Sequence, residues 1–339
     1  MAEALKIIIP MAGFGTRLRP HTWSRPKPLL SAAGDTILGH VLKLLQTAPG
    51  AENAEFVFIV GYLGDQVQAY MQAEHPKLKA HFVEQKELLG QSHALAQARE
   101  YIHGPTLIIF VDTVVETDFS ELDKEEADAV AWVKPVEDPR RFGVAEVDKD
   151  GLVRGLIEKP SDMKNNLAVV GIYYFKRGED LMAAIDEQMQ KGVRLKNEFF
   201  LADAIDIMLK KGTKMRTAIV DEWLDAGLPE TVLETNRKLL EKGRDNSAEQ
   251  GARKGVTIKP PVYVHPEATI ENSTLGPYVS IGRGSVVRNS QIENTVIERD
   301  VQIENCTLAG SLIGERSQVR GVKGTVNVGD DSRVDGETS

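Results

Sequence analysis

The sequence predicts an α/β chain in two successive parts: a mixed, mostly parallel sheet covered by helices, then a small parallel β-helix. Three observations carry this. Val/Ile-rich runs alternate with segments of helical spacing up to about residue 240. A polar stretch, "RDNSAEQGARKG" (244–255), then breaks the pattern. Beyond it, single apolar residues recur every six or five positions.

In order, "LKIIIP" (5–10), "EFVFIV" (55–60), "KAHFVE" (79–84), "TLIIFVD" (106–112) and "DAVAWVKP" (128–135) read as strands. Between them, 36–48 and 64–74 carry apolar residues at helical spacing, and 229–243 reads as a further helix. Such alternation implies a largely parallel sheet buried on both faces. Ligands of such sheets gather at the carboxyl ends of the strands. The loop after residue 10 falls there, as does Asp112 at the end of 106–112. In the second part, Val264, Ile270, Leu275, Ile281, Val287, Ile292, Ile297, Ile303, Leu308, Ile313 and Val319 keep the step, and "ENSTL", "ENTVI" and "ENCTL" fill gaps. Each apolar residue is expected to point into a prism-shaped core. Antiparallel hairpins with Asn/Gly turns are the competing reading.

Composition narrows the function. The 339 residues allow two domains. A net charge of −9 argues against general nucleic-acid binding, and local cations in an acidic chain point to a small anionic ligand. The single cysteine, Cys306, rules out an intrachain disulfide and suggests a reducing compartment. It sits in the alternating run "QIENCTLAG", where a buried structural thiol is expected. No apolar run approaches the ~20 residues that span a bilayer, and "MAEALKIIIP" lacks a signal-peptide pattern. A cytoplasmic protein with no membrane partner is expected.

The segment "AGFGTRLRPHTWSRPKP" sets four cations, Arg17, Arg19, Arg25 and Lys27, behind two glycines. Gly13 and Gly15 let a backbone approach a ligand closely, and exposed amides there favour phosphate. A dinucleotide fingerprint needs a third glycine where Leu18 stands, and the Gly-Lys-Ser/Thr of a P-loop is missing. Pro20, Pro26 and Pro28 stiffen the segment and favour fixed positions for Arg17 and Lys27. A structural turn with solvated arginines is the local alternative.

"PMAGFGTRLRPHTWSRPKPLL" resembles the signature of the sugar-1-phosphate nucleotidyltransferases. Similar elements follow in that family's order: "FVEQKELLGQSHALAQA", "FVD" (110–112), "RRFGVAEVD", "LIEKP", "AVVGIYYF", "KNEFFLADAI" and "EWLDAGLPE". The resemblance implies a Rossmann-like nucleotidyltransferase domain over 1–243, a linker over 244–260 and a left-handed hexapeptide β-helix over 261–332. It implies a homo-oligomer to which the β-helix contributes. The implied substrates are a nucleoside triphosphate and a sugar 1-phosphate, the products an NDP-sugar and pyrophosphate. The attacking phosphate is already largely ionised at neutral pH, so no general base is required. The obstacle is repulsion between anions, roughly 4 kcal/mol per pair of charges at ~4 Å and an effective dielectric of 20. Catalysis then reduces to positioning and charge neutralisation.

By resemblance, Ala12, Gly13, Gly15 and Thr16 hold the nucleotide, Arg17 contacts its phosphates, and Lys27 stands beside the transferring phosphoryl group. Asp112 and Asp225 would hold Mg²⁺, which needs only one or two carboxylates besides substrate phosphates. Gly143, Glu158, Lys159, Gly171, Tyr173 and Lys196 would form the sugar-phosphate side. Gln85 and Gly90 lie in the base-reading segment. A glutamine amide suits the O4/N3–H edge of uracil or thymine, so UTP or dTTP with glucose 1-phosphate is expected. His93 reads as structural. Three departures stand out: Val111 precedes Asp112 where the family usually has glycine, and Gln91 and Ser92 replace the common threonine and small residue. The alternatives are a mannose-1-phosphate guanylyltransferase, an N-acetylglucosamine-1-phosphate uridylyltransferase and a silent sugar-nucleotide sensor. An acyltransferase would need a base, and His265 is the tail's one histidine.

Overall fold

A computed structural model describes residues 3–250 and 255–336. They form two compact units, one of Met1–Gly13 with Val41–Trp223 and one of Phe14–His40 with Leu224–Ser339.

The first unit is built on a nine-stranded sheet. Its strands are β1 (Lys6–Pro10), β2 (Glu55–Val60), β3 (Lys79–Glu84), β4 (Thr106–Ile109), β5 (Ala129–Pro135), β6 (Gly143–Val147), β7 (Val153–Glu158), β8 (Leu167–Phe175) and β9 (Met215–Ile219). The path runs β7-β6-β8-β4-β1-β2-β3, with β5 pairing β8 and β9. Strands β4, β1, β2 and β3 are mutually parallel, while β8 enters antiparallel against β4. The uninterrupted apolar strands are explained by burial on both faces: Ile7, Ile8 and Ile9 are wholly buried. Helices Gly64–Glu74, Gln91–Gln97, Gly178–Gln190 and Leu201–Lys210 belong to this unit. The helix expected over 36–48 runs from Ile37 to Leu45, and the unit boundary at His40 divides it.

One strand is shorter than expected. β4 stops at Ile109, and Val111 and Asp112 form a turn. The cause lies in β8, whose pairing with β5 slips between Val169 and Tyr173. Gly171 sits at this bulge with φ +82°, and its carbonyl takes the Phe110 N–H at 3.0 Å. A Cβ there would lie 3.3 Å from that of Phe110. Phe110 therefore makes the last bond to β8, and Val111 and Asp112 leave the ladder.

In the second unit, strands between Thr257 and Asp335 make three five-stranded parallel sheets, the faces of a left-handed β-helix. Register stacks apolar residues one above another, as in Val264–Ile281–Ile297–Ile313 and Ile270–Val287–Ile303–Val319. All eleven residues of the predicted period lie in its core, with Cys306 buried among them. Asn272, Asn289, Asn294 and Asn305 take positive φ at the corners, a conformation asparagine tolerates. The helix Pro229–Leu239 precedes the coils. Its Asn236 accepts from Ala33 N and Ser280 Oγ and donates to the Tyr278 carbonyl. Of the expected linker, Ser247–Gln250 form a short helix, and residues 251–254 lie outside the described residues. Among the described residues, no helix is long and apolar enough to cross a membrane.

Candidate active site

The site residues divide between the two units. In the first, the chain leaves β1 with Met11 N donating to the Ile59 carbonyl at 2.8 Å. Ala12 is buried, and its carbonyl oxygen lies 2.6 Å from where a Cβ on Gly61 would stand. Gly13 is exposed with open space around its missing Cβ, leaving room for a ligand against the backbone.

Gln85 follows β3 and is buried. Its backbone N–H is fixed to Val60, and its amide Nε2 donates to the Gly90 carbonyl at 3.3 Å and to His93 Nδ1 at 3.2 Å. Two acceptors around one amide end fix the orientation, so Oε1 is the end that can accept from a base. Gly90, with φ +104°, lies against Phe199; a Cβ would come within 2.6 Å of that residue's N and O. Leu89 O and Ser92 N bind the Phe199 backbone, Ser92 Oγ donates to Phe200 O, and Gln91 Oε1 accepts Leu201 N. Gln91 and Ser92 thus clamp the segment that carries Gln85 and Gly90 to residues 199–201. Neither Phe199 nor Phe200 was singled out in the sequence. An apolar pair at a helix start gives no hint of a partner ~110 residues away.

Asp112 is exposed in its turn, and the Val111 side chain is buried beneath it. Among the residues expected on the sugar-phosphate side, Gly143 pairs with Glu158 across β6 and β7, and Glu158 Oε2 lies 3.0 Å from where a Gly143 Cβ would be. Lys159, with φ +50°, sets Nζ 3.3 Å from Glu158 Oε1 and 5.3 Å from the Phe200 ring centroid, a cation–π contact. Tyr173 is buried; burial first, then the Glu158 charge, push its phenol above the usual range, so it stays neutral. Glu158 therefore joins Gly143, Lys159 and Tyr173 into one group. Asp203 is raised by burial, then by Asp206 and Glu158. Lys196 occupies the tip of an exposed two-residue turn closed by Leu195 and Glu198.

In the second unit, Gly15 takes φ +60°, and a Cβ on it would meet Thr22 Cγ2 at 3.1 Å and Lys27 Cβ at 3.3 Å. Thr22 Oγ1 donates to the Gly15 carbonyl at 2.8 Å. Thr16 and Arg17 begin a short 3-10 turn, and Lys27 begins another between Pro26 and Pro28. Arg17 and Asp225 come together at Gly227, whose absent Cβ would lie 3.1 Å from Arg17 Nη2 and 2.9 Å from Asp225 Oδ1. Gly227 N donates to that same Oδ1 at 2.9 Å. Asp225 stands oriented with hard oxygen ligands suited to Mg²⁺. Among the described residues, no three His, Cys, Asp or Glu side chains gather as a metal cluster.

Arg25 departs from the expectation of an anion-directed cation. It is buried against Glu298, Glu315 and Asp330, at 2.8, 3.0 and 2.9 Å. Its charge is consumed by protein carboxylates. His265 Nδ1 accepts from Glu267 N in a turn, the part of a corner residue.

The family described as Nucleotidyl transferase matches residues 6–242. A glucose-1-phosphate thymidylyltransferase of Streptomyces griseus is 28% identical over 340 residues, covering 93% of each chain. A bifunctional protein GlmU of Methanocaldococcus jannaschii is 31% identical over 330 residues, 91% of this chain and 77% of the relative. Among solved structures, a UDP-glucose pyrophosphorylase complexed with UDP-glucose aligns with TM-score 0.60 and 20% identity, over 71% of this chain and all of the other, which shows a shared fold. With its model matched across the sheet, the glycine-and-cation segment and Asp225, the chain belongs to the nucleotidyl transferase family and is an enzyme of that class.

Proposed function

We propose that this enzyme transfers a nucleotidyl group from UTP or dTTP to a sugar 1-phosphate, glucose 1-phosphate first, in a Mg²⁺-dependent reaction. A sugar-phosphate oxygen attacks the α-phosphorus. The new P–O bond forms as the bond to the bridging oxygen breaks, and pyrophosphate leaves. Arg17 binds the departing phosphates and Lys27 lies beside the α-phosphoryl group. Lys159, steadied over Phe200, holds the sugar phosphate, with Lys196 adding charge. Asp112 and Asp225 would hold Mg²⁺, which would supply neutralisation of the phosphate charge. Glu158 accepts from sugar hydroxyls, Tyr173 walls the pocket as a neutral phenol, and Gly143 and Gly171 keep backbone accessible. Ala12, Gly13, Gly15 and Thr16 line the nucleotide.

The observation that carries the choice of base is the pinned Gln85 amide. An accepting Oε1 complements the N3–H of uracil or thymine, and also the N1–H of guanine, whereas adenine N1 and cytosine N3 are themselves acceptors; the amide thus disfavours ATP and CTP, and the nucleotide panel separates the pyrimidine triphosphates from GTP. The same reading takes 1–243 as the catalytic region, 244–260 as a linker and 261–332 as a β-helix through which copies associate in the cytoplasm. Pyrophosphate release, measured with Mg²⁺ across UTP, dTTP, GTP, ATP and CTP and a panel of sugar 1-phosphates, tests it. Turnover with UTP or dTTP is expected. Preference for GTP, or nucleotide binding without turnover, overturns it.

A further inference from the structure

Residues 20–31, which follow Arg17 closely and contain Lys27, are seated on the β-helix by five sets of contacts. The Pro20 carbonyl lies against Gly329, where a Cβ would come within 2.9 Å of its oxygen. His21 Nε2 meets Asn327 Oδ1 at 2.5 Å. Ser24 Oγ donates to Asp330 at 2.9 Å. Arg25 spans Glu298, Glu315 and Asp330. Ser31 gives its N–H and Oγ to Glu298 at 2.9 and 2.7 Å.

These carboxylates come from successive coils and are themselves buried. Arg299 and Arg316 hold Glu315 from the other side, so three arginines face three carboxylates. Buried ion pairs are a poor source of stability compared with apolar packing, so a seat built of them is better explained by positioning than by stability. The seated segment passes that position on. Consecutive turns are closed by Leu18 N to Gly15 O, His21 N to Leu18 O, Trp23 N to Pro20 O, Leu29 N to Pro26 O and Leu30 N to Lys27 O. Thr22 ties Gly15, and Gly15 packs on Lys27 Cβ. Little slack remains between seat and cations.

We propose that the β-helix is a working part of the catalytic centre, in which Arg25 and Gly329 are positioning residues that fix Arg17 and Lys27 for phosphoryl transfer. The inference rests on the nucleotidyl-transfer reading for the tasks of those two cations. It gives the tail a role in turnover, beyond the stabilising or oligomerising one that the repeat alone suggests.

The test is Gly329→Ala. Its φ lies outside the left-handed region, every charge is kept, and the added methyl meets a backbone oxygen that cannot swing aside. Displacing catalytic groups by a fraction of an ångström is expected to lower kcat roughly tenfold or more. KM for the sugar 1-phosphate should stay within about threefold, and the Kd for inorganic pyrophosphate with Mg²⁺, read by calorimetry, should rise at least about threefold. A second variant, Arg25→Met with Glu298→Gln, removes one charge of each sign and should show the same split while melting near wild type. Wild-type kcat and pyrophosphate affinity in either stably folded variant overturn the proposal. A wild-type enzyme that turns over no substrate pair overturns the nucleotidyl-transfer reading instead, and the pyrophosphate titration still decides the positioning.

Discussion

Arg25→Met removes the charge at the centre of the seat while keeping an unbranched side chain in place. Its consequence can be worked from the partners. Glu315 retains Arg299 and Arg316, and Asp330 retains Ser24 Oγ and the Glu315 N–H. Glu298 is left with Ser31 alone. Breaking one side of a buried pair costs about 3–5 kcal/mol. In the native protein, burial pushes the Glu298 carboxyl up, but Arg25 and the Ser31 hydrogen bonds overcome it and hold it below the usual range. Without Arg25, burial wins and the folded state takes up a proton that the unfolded chain lacks. A group whose folded pKa is raised contributes stability below its unfolded pKa and loses it as pH rises through the folded value. The deficit of the variant is therefore expected to be smaller at pH 5.5 than at pH 8. Urea unfolding at both values measures it: about 3–5 kcal/mol lost at pH 8, less at pH 5.5, and most of it restored by adding Glu298→Gln. A loss below about 1 kcal/mol at pH 8, against the buried-pair expectation, or one independent of pH, refutes the reasoning.

Asp112→Asn removes a charged oxygen from the candidate metal site at an exposed turn, so kcat should fall by about 10²-fold or more with melting nearly unchanged; near-normal turnover with Mg²⁺ would end the metal assignment. Gly90→Ala sets a methyl against the Phe199 backbone at φ +104°, and about 3 kcal/mol of strain, read by thermal unfolding, should accompany a raised KM for the nucleotide. Glu55 is held down to about 2 by the hydrogen bond from Lys6 and then by Lys79. Its contribution is present above the ordinary glutamate range and lost as pH falls towards 2, so Glu55→Gln should flatten acid unfolding there, by at most about 3 kcal/mol.

The sheet was legible because its strands are buried on both faces and so read as unbroken Val/Ile runs, as "KIIIP" does. The β-helix was legible because one apolar residue per face must enter a narrow core, which imposes a period that no helix shares. Strand ends were less so. "TLIIFVD" stays apolar through Val111, yet the ladder stops at Ile109 because Gly171, some sixty residues on, opens a bulge. Arg17, Lys27 and Arg25 look alike in sequence. Arg25 is buried against carboxylates that lie some 270–305 residues away, in a repeat whose polar positions all look like solvated corners. Gln91 and Ser92 read as departures around the nucleotide; folded, they fasten residues 199–201.

The seat of Arg25 also constrains the order of events during synthesis. The arginine and its partner Asp330 are separated by 305 positions. At 5–20 residues per second, a ribosome needs roughly 15–60 s to make the distance. For most of that interval the signature segment lacks the coils that receive it. Nascent chains therefore cannot complete the seat behind Lys27 until the end, and a truncation before the last coil leaves Arg25 with Glu298 and Glu315 but without Asp330.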